Sequence, residues 1–393
     1  MSLDLSAAAI LPEDHHHATL VGRVWLPGPH GGPTVVTLRD DKLIDLSSIA
    51  ATVADLMNTE DPVGTIRNCT GAQIAQIDDI LGNSAHTARD PAAPYLLAPI
   101  DLQAIKACGV TFVDSLLERV IEEQAKGDPA AATHIRRTIG DTLGVDLTAI
   151  VPGSDAAMKL KALLVERELW SPYLEVGIGP DAEVFTKAQP MSAVGTGAEI
   201  GLHASSTWNN PEPELVLVIN ASGQIVGVTL GNDVNLRDVE GRSALLLGRA
   251  KDNNGSAALG PFVRLFDAEF NIDHARAMDI TLRVEGDDGF VLDGRSSMAR
   301  IARDICDLAR QTIGPSHQYP DGLVLYTGTL FAPTQDRGAV GEGFTHKIGD
   351  KVMIHSPQLG CLSNQVNHSD KIAPWTFGTS ALMGNLFRRG ILR

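Results

Sequence analysis

Apolar and polar positions change period several times along the chain. Thr19 to Trp25 and Thr34 to Arg39 alternate as extended chain does, whereas Val53 to Met57 and Ile74 to Leu81 have helical spacing. Val113, Leu116, Leu117, Val120, Ile121 and Ala125 recur at helical intervals, with Glu118, Arg119, Glu122 and Glu123 opposite them. This predicts an amphipathic helix that ends at Gly127-Asp128-Pro129. A second helix is predicted from Ser154, a suitable N-cap, to about Arg167, with Leu160, Leu163 and Leu164 on one face.

After Trp170 the helical spacing gives way to short apolar runs separated by Gly, Asn, Asp and Pro. Leu215 to Ile219, Ile225 to Leu230, Ile280 to Glu285, Gly322 to Tyr326 and Lys351 to His355 read as strands. Only Met298 to Ile313 interrupts them with a helical pattern. The expected class is α+β, mainly β. The expected organisation is a smaller mixed α/β N-terminal domain over residues 1–165 and a catalytic domain over 166–393.

Composition narrows the partners. In 393 residues, 48 Asp and Glu face 32 Lys and Arg, and a net charge of −16 repels phosphate backbones and anionic lipid surfaces. Neither nucleic acid nor a membrane is expected. No apolar run approaches the ~20 residues that cross a bilayer, and the first 22 residues lack the positive start of a signal peptide. Cys69, Cys108, Cys306 and Cys361 are too widely spaced for a zinc knuckle, which fits a reducing cytoplasm. His15-His16-His17 has metal-binding side chains, but in a terminal segment it reads as a mobile polar tract.

Nucleotide-binding, zinc-protease and serine-hydrolase signatures are absent, so the chemistry is sought among carboxylates. Glu212-Pro213-Glu214 enters the run Leu215 to Ile219, and alternation sends both Glu side chains to one face. Two such carboxylates repel unless a cation lies between them. All-oxygen ligands suit Mg²⁺ before Mn²⁺ or Ca²⁺, although a bare pair also fits a solvated strand entrance. The turn from Gly231 to Asp238 brings Asp233 beside the pair if the two strands are neighbours, with Asn235 and Arg237 on the same face. Arg237 there suits a substrate carboxylate or a ligating Asp, and read alone the segment is a polar turn. Lys251 has the chemistry of a base if a dry pocket lowers its pKa, and otherwise reads as a surface lysine.

In order along the second half stand Phe185-Thr186-Lys187, Gly195-Thr196-Gly197, Glu212-x-Glu214, Asn232-Asp233-Val234-Asn235-Leu236-Arg237-Asp238, Leu259-Gly260-Pro261-Phe262, Tyr326-Thr327-Gly328-Thr329 and Ile348-Gly349-Asp350. This series resembles the fumarylacetoacetate hydrolase superfamily. The resemblance implies a β-roll-like catalytic domain, with Glu212, Glu214 and Asp233 as ligands of Mg²⁺, or of Mn²⁺. It also implies that Thr329 contacts substrate and that relatives assemble as homodimers or homotetramers, while Lys187 and Arg237 are candidates either to contact substrate or to support the groups that do. The spacing from Glu183 to Lys251 resembles the branch that dehydrates 2-keto-3-deoxy sugar acids. That branch implies Lys251 and Glu183 as catalytic groups and a small-molecule substrate such as 2-keto-3-deoxy-D-xylonate. The alternative is a carbon–carbon hydrolase of 2,4-dioxo acids, but no His stands between His134 and His203 to activate its water.

Overall fold

A computed structural model describes residues 3–132, 134–135, 150–166, 170–338 and 343–392. Strand Pro213–Ile219 is buried on both faces, which is why its sequence is an unbroken apolar run. Leu215, Leu217 and Ile219 pack towards a five-stranded sheet that contributes Ile280, Leu282, Val352 and Ile354. Val216 and Val218 face the other way, into a layer with Val21, Ile105, Val263 and Tyr326.

That strand lies near the centre of an 11-stranded sheet. On one side it pairs antiparallel with Ile225–Asp233, followed by Ala257–Leu265, Leu20–Leu26 and Gly32–Arg39. On the other come Leu323–Tyr326, Ala104–Gly109 and Glu183–Ala188. Strands from both sides of position 165 therefore share one sheet and one apolar layer. The boundary expected near residue 165 does not divide the core, because Ala104–Gly109 needs Leu323–Tyr326 as its parallel partner.

Helix Val113–Gln124 forms where the spacing predicts it, and Asp155–Glu166 starts after Ser154, whose Oγ accepts from Ala157 N at 3.2 Å. Two segments differ from expectation. Met298 to Ile313 is a single 3₁₀ turn, Met298–Arg300, and then a helix, Ile305–Thr312. Asp304 restarts the helix by accepting from Cys306 N at 2.9 Å. Ile74 to Leu81 divides into strand Gln73–Gln76, which pairs with Lys42–Asp45, and helix Ile77–Ser84. Sheet pairing overrides local helical spacing there. Among the described residues no helix is long and apolar enough to cross a membrane.

The register of the central pair prepares the site. Glu214 lies opposite Gly231, while Glu212 O accepts from Asp233 N at 3.1 Å, so alternation sends Glu212, Glu214 and Asp233 to one face. Gly231 is required by close approach: a Cβ would lie 2.4 Å from the Tyr326 ring and 2.5 Å from Val216. Tyr326 cannot yield, since it is fully buried and its hydroxyl donates to Ala258 O at 2.7 Å. Gly231→Ala is expected to cost about 1–3 kcal/mol of stability by overpacking, read from urea unfolding midpoints.

Candidate functional site

Glu212, Glu214 and Asp233 are all buried, and one oxygen from each lies within 4.8 Å of the others. Their backbones are fixed locally. Asn232 Oδ1 accepts from Glu212 N at 3.0 Å, and Glu214 Oε2 accepts from Gly328 N at 2.7 Å. Gly328 has φ +96°, and a Cβ there would strike Thr111 Oγ1, so this amide reaches Glu214 only from a glycine. Glu214 Oε1 has no hydrogen-bond partner among the described residues.

Three buried cations, Lys251, Lys187 and Arg119, converge on these carboxylates from separate elements, and a fourth, Arg237, stands behind them against Glu122. Lys251, at the end of helix Leu247–Lys251, places Nζ 2.6 Å from Glu212 Oε2 and 3.1 Å from Asp233 Oδ2. Lys187 Nζ stands 2.9 Å from Asp233 Oδ1. Arg119 bonds Glu212 with one nitrogen, while its Nη1 lies 2.5 Å from Glu122 and 3.0 Å from Glu240. Arg237 pairs with Glu122 at 3.2 Å and donates to Asn210 Oδ1 at 2.9 Å.

The charge in this cluster does not balance. Glu122, Glu212, Glu214, Asp233 and Glu240 are five buried carboxylates against the four cations Arg119, Lys187, Arg237 and Lys251. The surplus is felt at Glu214, whose carboxyl is pushed well above the usual range by burial and then by Asp233 and Glu212. Burial also acts on Glu212, but Lys251 and Arg119 more than offset it and hold that carboxyl low. An unpartnered oxygen, three convergent carboxylates and excess negative charge together fit a hard divalent cation.

Glu183, Phe185, Ser115 and Thr329 line the cavity over Glu212, Asp233 and Lys251. Burial, with Glu240, raises the Glu183 carboxyl to about 7, against the opposing pull of Arg119 and Lys251. Thr329 is buried and donates to Phe331 O at 2.8 Å. Lys187 and Arg237 do not line this cavity. Lys187 is fully buried behind Asp233, where it also donates to Val234 O at 3.2 Å, and Arg237 begins a helical turn rather than continuing the face of Asp233. Both positions suit groups that hold carboxylates. Lys251 departs from the expected lowered pKa: burial lowers it, but Asp233 and Glu212 outweigh burial and raise it.

Sequence reasoning passed over Arg119, Glu122 and Glu240. The first two read as the polar side of an amphipathic helix, yet both are buried. An Arg three residues before a Glu was the available signal, and it is equally common on solvated helices.

Residues 174–367 match the family described as fumarylacetoacetate (FAA) hydrolase C-terminal. The chain carries a fumarylacetoacetate hydrolase family domain. Within the curated proteins, the chain is 33% identical over 190 residues to the 2-dehydro-3-deoxy-D-arabinonate dehydratase of Saccharolobus solfataricus. That match covers 48% of this chain and 60% of the relative's length. A protein of Haloferax volcanii named "Probable 2-keto-3-deoxyxylonate dehydratase" is 29% identical over 263 residues, covering 61% of this chain and 87% of that one. The fold extends beyond the fumarylacetoacetate hydrolase domain itself. A solved 2-keto-3-deoxy-D-arabinonate dehydratase complexed with magnesium and 2,5-dioxopentanoate superposes with a TM-score of 0.60 at 22% identity, covering 89% of this chain and 99% of that one. Its apo form gives 0.61 at the same identity and coverage.

Two substitutions separate pairing from ligation in this domain. Arg119→Met removes the cation shared by three buried carboxylates, Glu122, Glu212 and Glu240, and is expected to cost about 3–5 kcal/mol in denaturant unfolding. Glu214→Gln removes the surplus charge without changing shape. It should leave the stability of the metal-free protein equal or higher, while calorimetric Mg²⁺ affinity falls at least about tenfold.

Proposed function

We propose that this chain is a Mg²⁺-dependent hydro-lyase that dehydrates 2-keto-3-deoxy-D-xylonate, the same compound as 2-keto-3-deoxy-D-arabinonate, to 2,5-dioxopentanoate. The observation that carries the reading is the meeting of Lys251, Glu183 and two members of a buried carboxylate triad, Glu212 and Asp233, at one cavity of a fumarylacetoacetate hydrolase family fold. The names of the two curated relatives support the substrate class.

Glu212, Glu214 and Asp233 would hold Mg²⁺, or Mn²⁺, which when bound supplies positive charge for the substrate's carboxylate and for the oxyanion that develops at C2. The protein's own residues do the proton work. Lys251 faces the cavity beside Glu212 and Asp233, and those two carboxylates are what hold its proton. Were those two charges met, burial would outweigh what remains, chiefly Glu240, and would suit Lys251 to take a proton from C3. Electron flow from the C3–H bond then forms the C3–C4 double bond and expels the C4 hydroxyl. Glu183, with a carboxyl raised to about 7, keeps a substantial protonated fraction at neutral pH, and in that form gives its proton to the hydroxyl, which leaves as water. Loss of a C5 proton and tautomerisation yield the aldehyde. Thr329 at the cavity wall would bind the substrate carboxylate by turning its hydroxyl from Phe331 O, and Lys187 and Arg237 would keep Asp233 and Glu122 oriented.

The carbon–carbon hydrolase reading needs a water-activating histidine, and none lines this cavity among the described residues. Cytoplasmic residence and assembly as a homodimer or homotetramer belong to the same proposal. Four free cysteines support the first. The exposed Met383 and Phe387, one turn apart on helix Thr379–Arg388, support the second.

Mass analysis of a reaction with 2-keto-3-deoxy-D-xylonate should find Mg²⁺-dependent loss of one water, abolished by EDTA. Intact substrate beside cleavage of a 2,4-dioxo acid would move the protein to the hydrolase branch. Lys251→Ala should lower kcat by about 10²–10⁴-fold, the usual range for a positioned acid or base. Because Glu183 acts protonated, kcat should fall as pH rises through about 7. Glu183→Gln should lower kcat and flatten that limb of the profile.

A further inference from the structure

The His15-His16-His17 segment is not a mobile tract. Glu13 N donates to Pro357 O at 2.9 Å, and the Asp14 carboxylate receives two guanidinium nitrogens of buried Arg264 at 2.7 and 2.6 Å. So pinned, the segment lies beside Asp41, in the turn between strands Gly32–Arg39 and Lys42–Asp45. Ligand atoms of His15, His16 and Asp41 all fall within 4.8 Å of one another.

The ring of His15 is oriented by its other nitrogen. Nδ1 lies 2.9 Å from Pro12 O, and a carbonyl oxygen only accepts, so Nδ1 carries the proton. In a neutral imidazole the lone pair is then on Nε2, which faces Asp41 Oδ1 at 3.2 Å. Two acceptors oppose each other, and a cation between them removes the conflict. Their separation also matches the edge of a tetrahedron drawn around an ion with bonds of about 2.0–2.1 Å. A ligating histidine whose second nitrogen donates to a backbone carbonyl is the usual arrangement in protein metal sites. The His16 ring stands 4.0 Å from that of His15. Arg39 and Arg67 share the depression but are engaged elsewhere, Arg39 with the carbonyls of Cys69 and Ile66 and Arg67 with Asp267.

We propose that His15, His16 and Asp41 form a second metal site, for a borderline divalent ion of the zinc class, which ties the N-terminal segment to the turn at Asp41. Donor chemistry separates it from the buried triad. Two imidazoles and one carboxylate favour zinc over magnesium, whereas three carboxylates favour the harder ion. The proposal stands independently of the dehydratase reading.

The test is calorimetric titration of Zn²⁺ into the full-length protein held in excess Mg²⁺, with thermal unfolding in parallel. Wild type should take up zinc and unfold at a higher temperature once loaded. His16→Ala and Asp41→Asn, both at exposed positions, should keep the wild-type circular dichroism spectrum, bind zinc at least about tenfold more weakly and lose the thermal shift. Glu214→Gln should keep the zinc. No zinc uptake by wild type, equal uptake by His16→Ala, or uptake lost in Glu214→Gln would each overturn the proposal, the last by placing zinc at the acidic triad.

Discussion

Burying Glu212, Glu214 and Asp233 side by side on adjacent strands is the constraint to which the centre of this molecule is built. Three carboxylates removed from water are unfavourable by far more than one side chain's packing returns, unless cations and amides meet them. Lys251, Lys187 and Arg119 reach them from three elements, and Gly328 lends an amide from a fourth. Gly231 leaves the space in which Tyr326 packs beneath them. The compensation is incomplete, and its shortfall is concentrated at Glu214, the carboxylate with one unpartnered oxygen.

The same field sets the proton affinities around the cavity. Carboxylates facing Lys251 raise its pKa, and burial with the neighbouring Glu240 raises that of Glu183. An ion taken up by the triad weakens the first effect directly, because it cancels the charges that cause it. In the proposed function, metal binding and proton transfer would thus be coupled through Asp233 and Glu212. Glu122 and Glu240 face the other side of Arg119 and hold its guanidinium against Glu212.

This arrangement requires both halves of the chain. Arg119 and Glu122 come from helix Val113–Gln124, before residue 165, and the carboxylate triad comes after it. A continuous sheet keeps the two contributions in register, with Ala104–Gly109 between Leu323–Tyr326 and Glu183–Ala188. The match to the fumarylacetoacetate hydrolase family begins at residue 174, whereas likeness to solved dehydratases extends over 89% of the chain.

What the sequence by itself determined is what periodicity and short spacing encode: the helices near Val113 and Ser154, the apolar strands after Trp170, and a Glu-x-Glu that alternation must place on one face. Order of motifs along the second half was enough to show the resemblance that the family match over residues 174–367 bears out. Tertiary structure alone decided the rest, since it depends on which strands become neighbours. Pairing put Asp233 opposite Glu212, carried the large sheet across residue 165, and turned Ile74–Gln76 from helix to strand. Long-range packing buried Arg119 and Glu122, which local pattern had set on a polar face, and it reversed the expected pKa shift of Lys251. The physical reason is that charge–charge energies depend on distance and burial, and neither exists until residues far apart in sequence have been brought together.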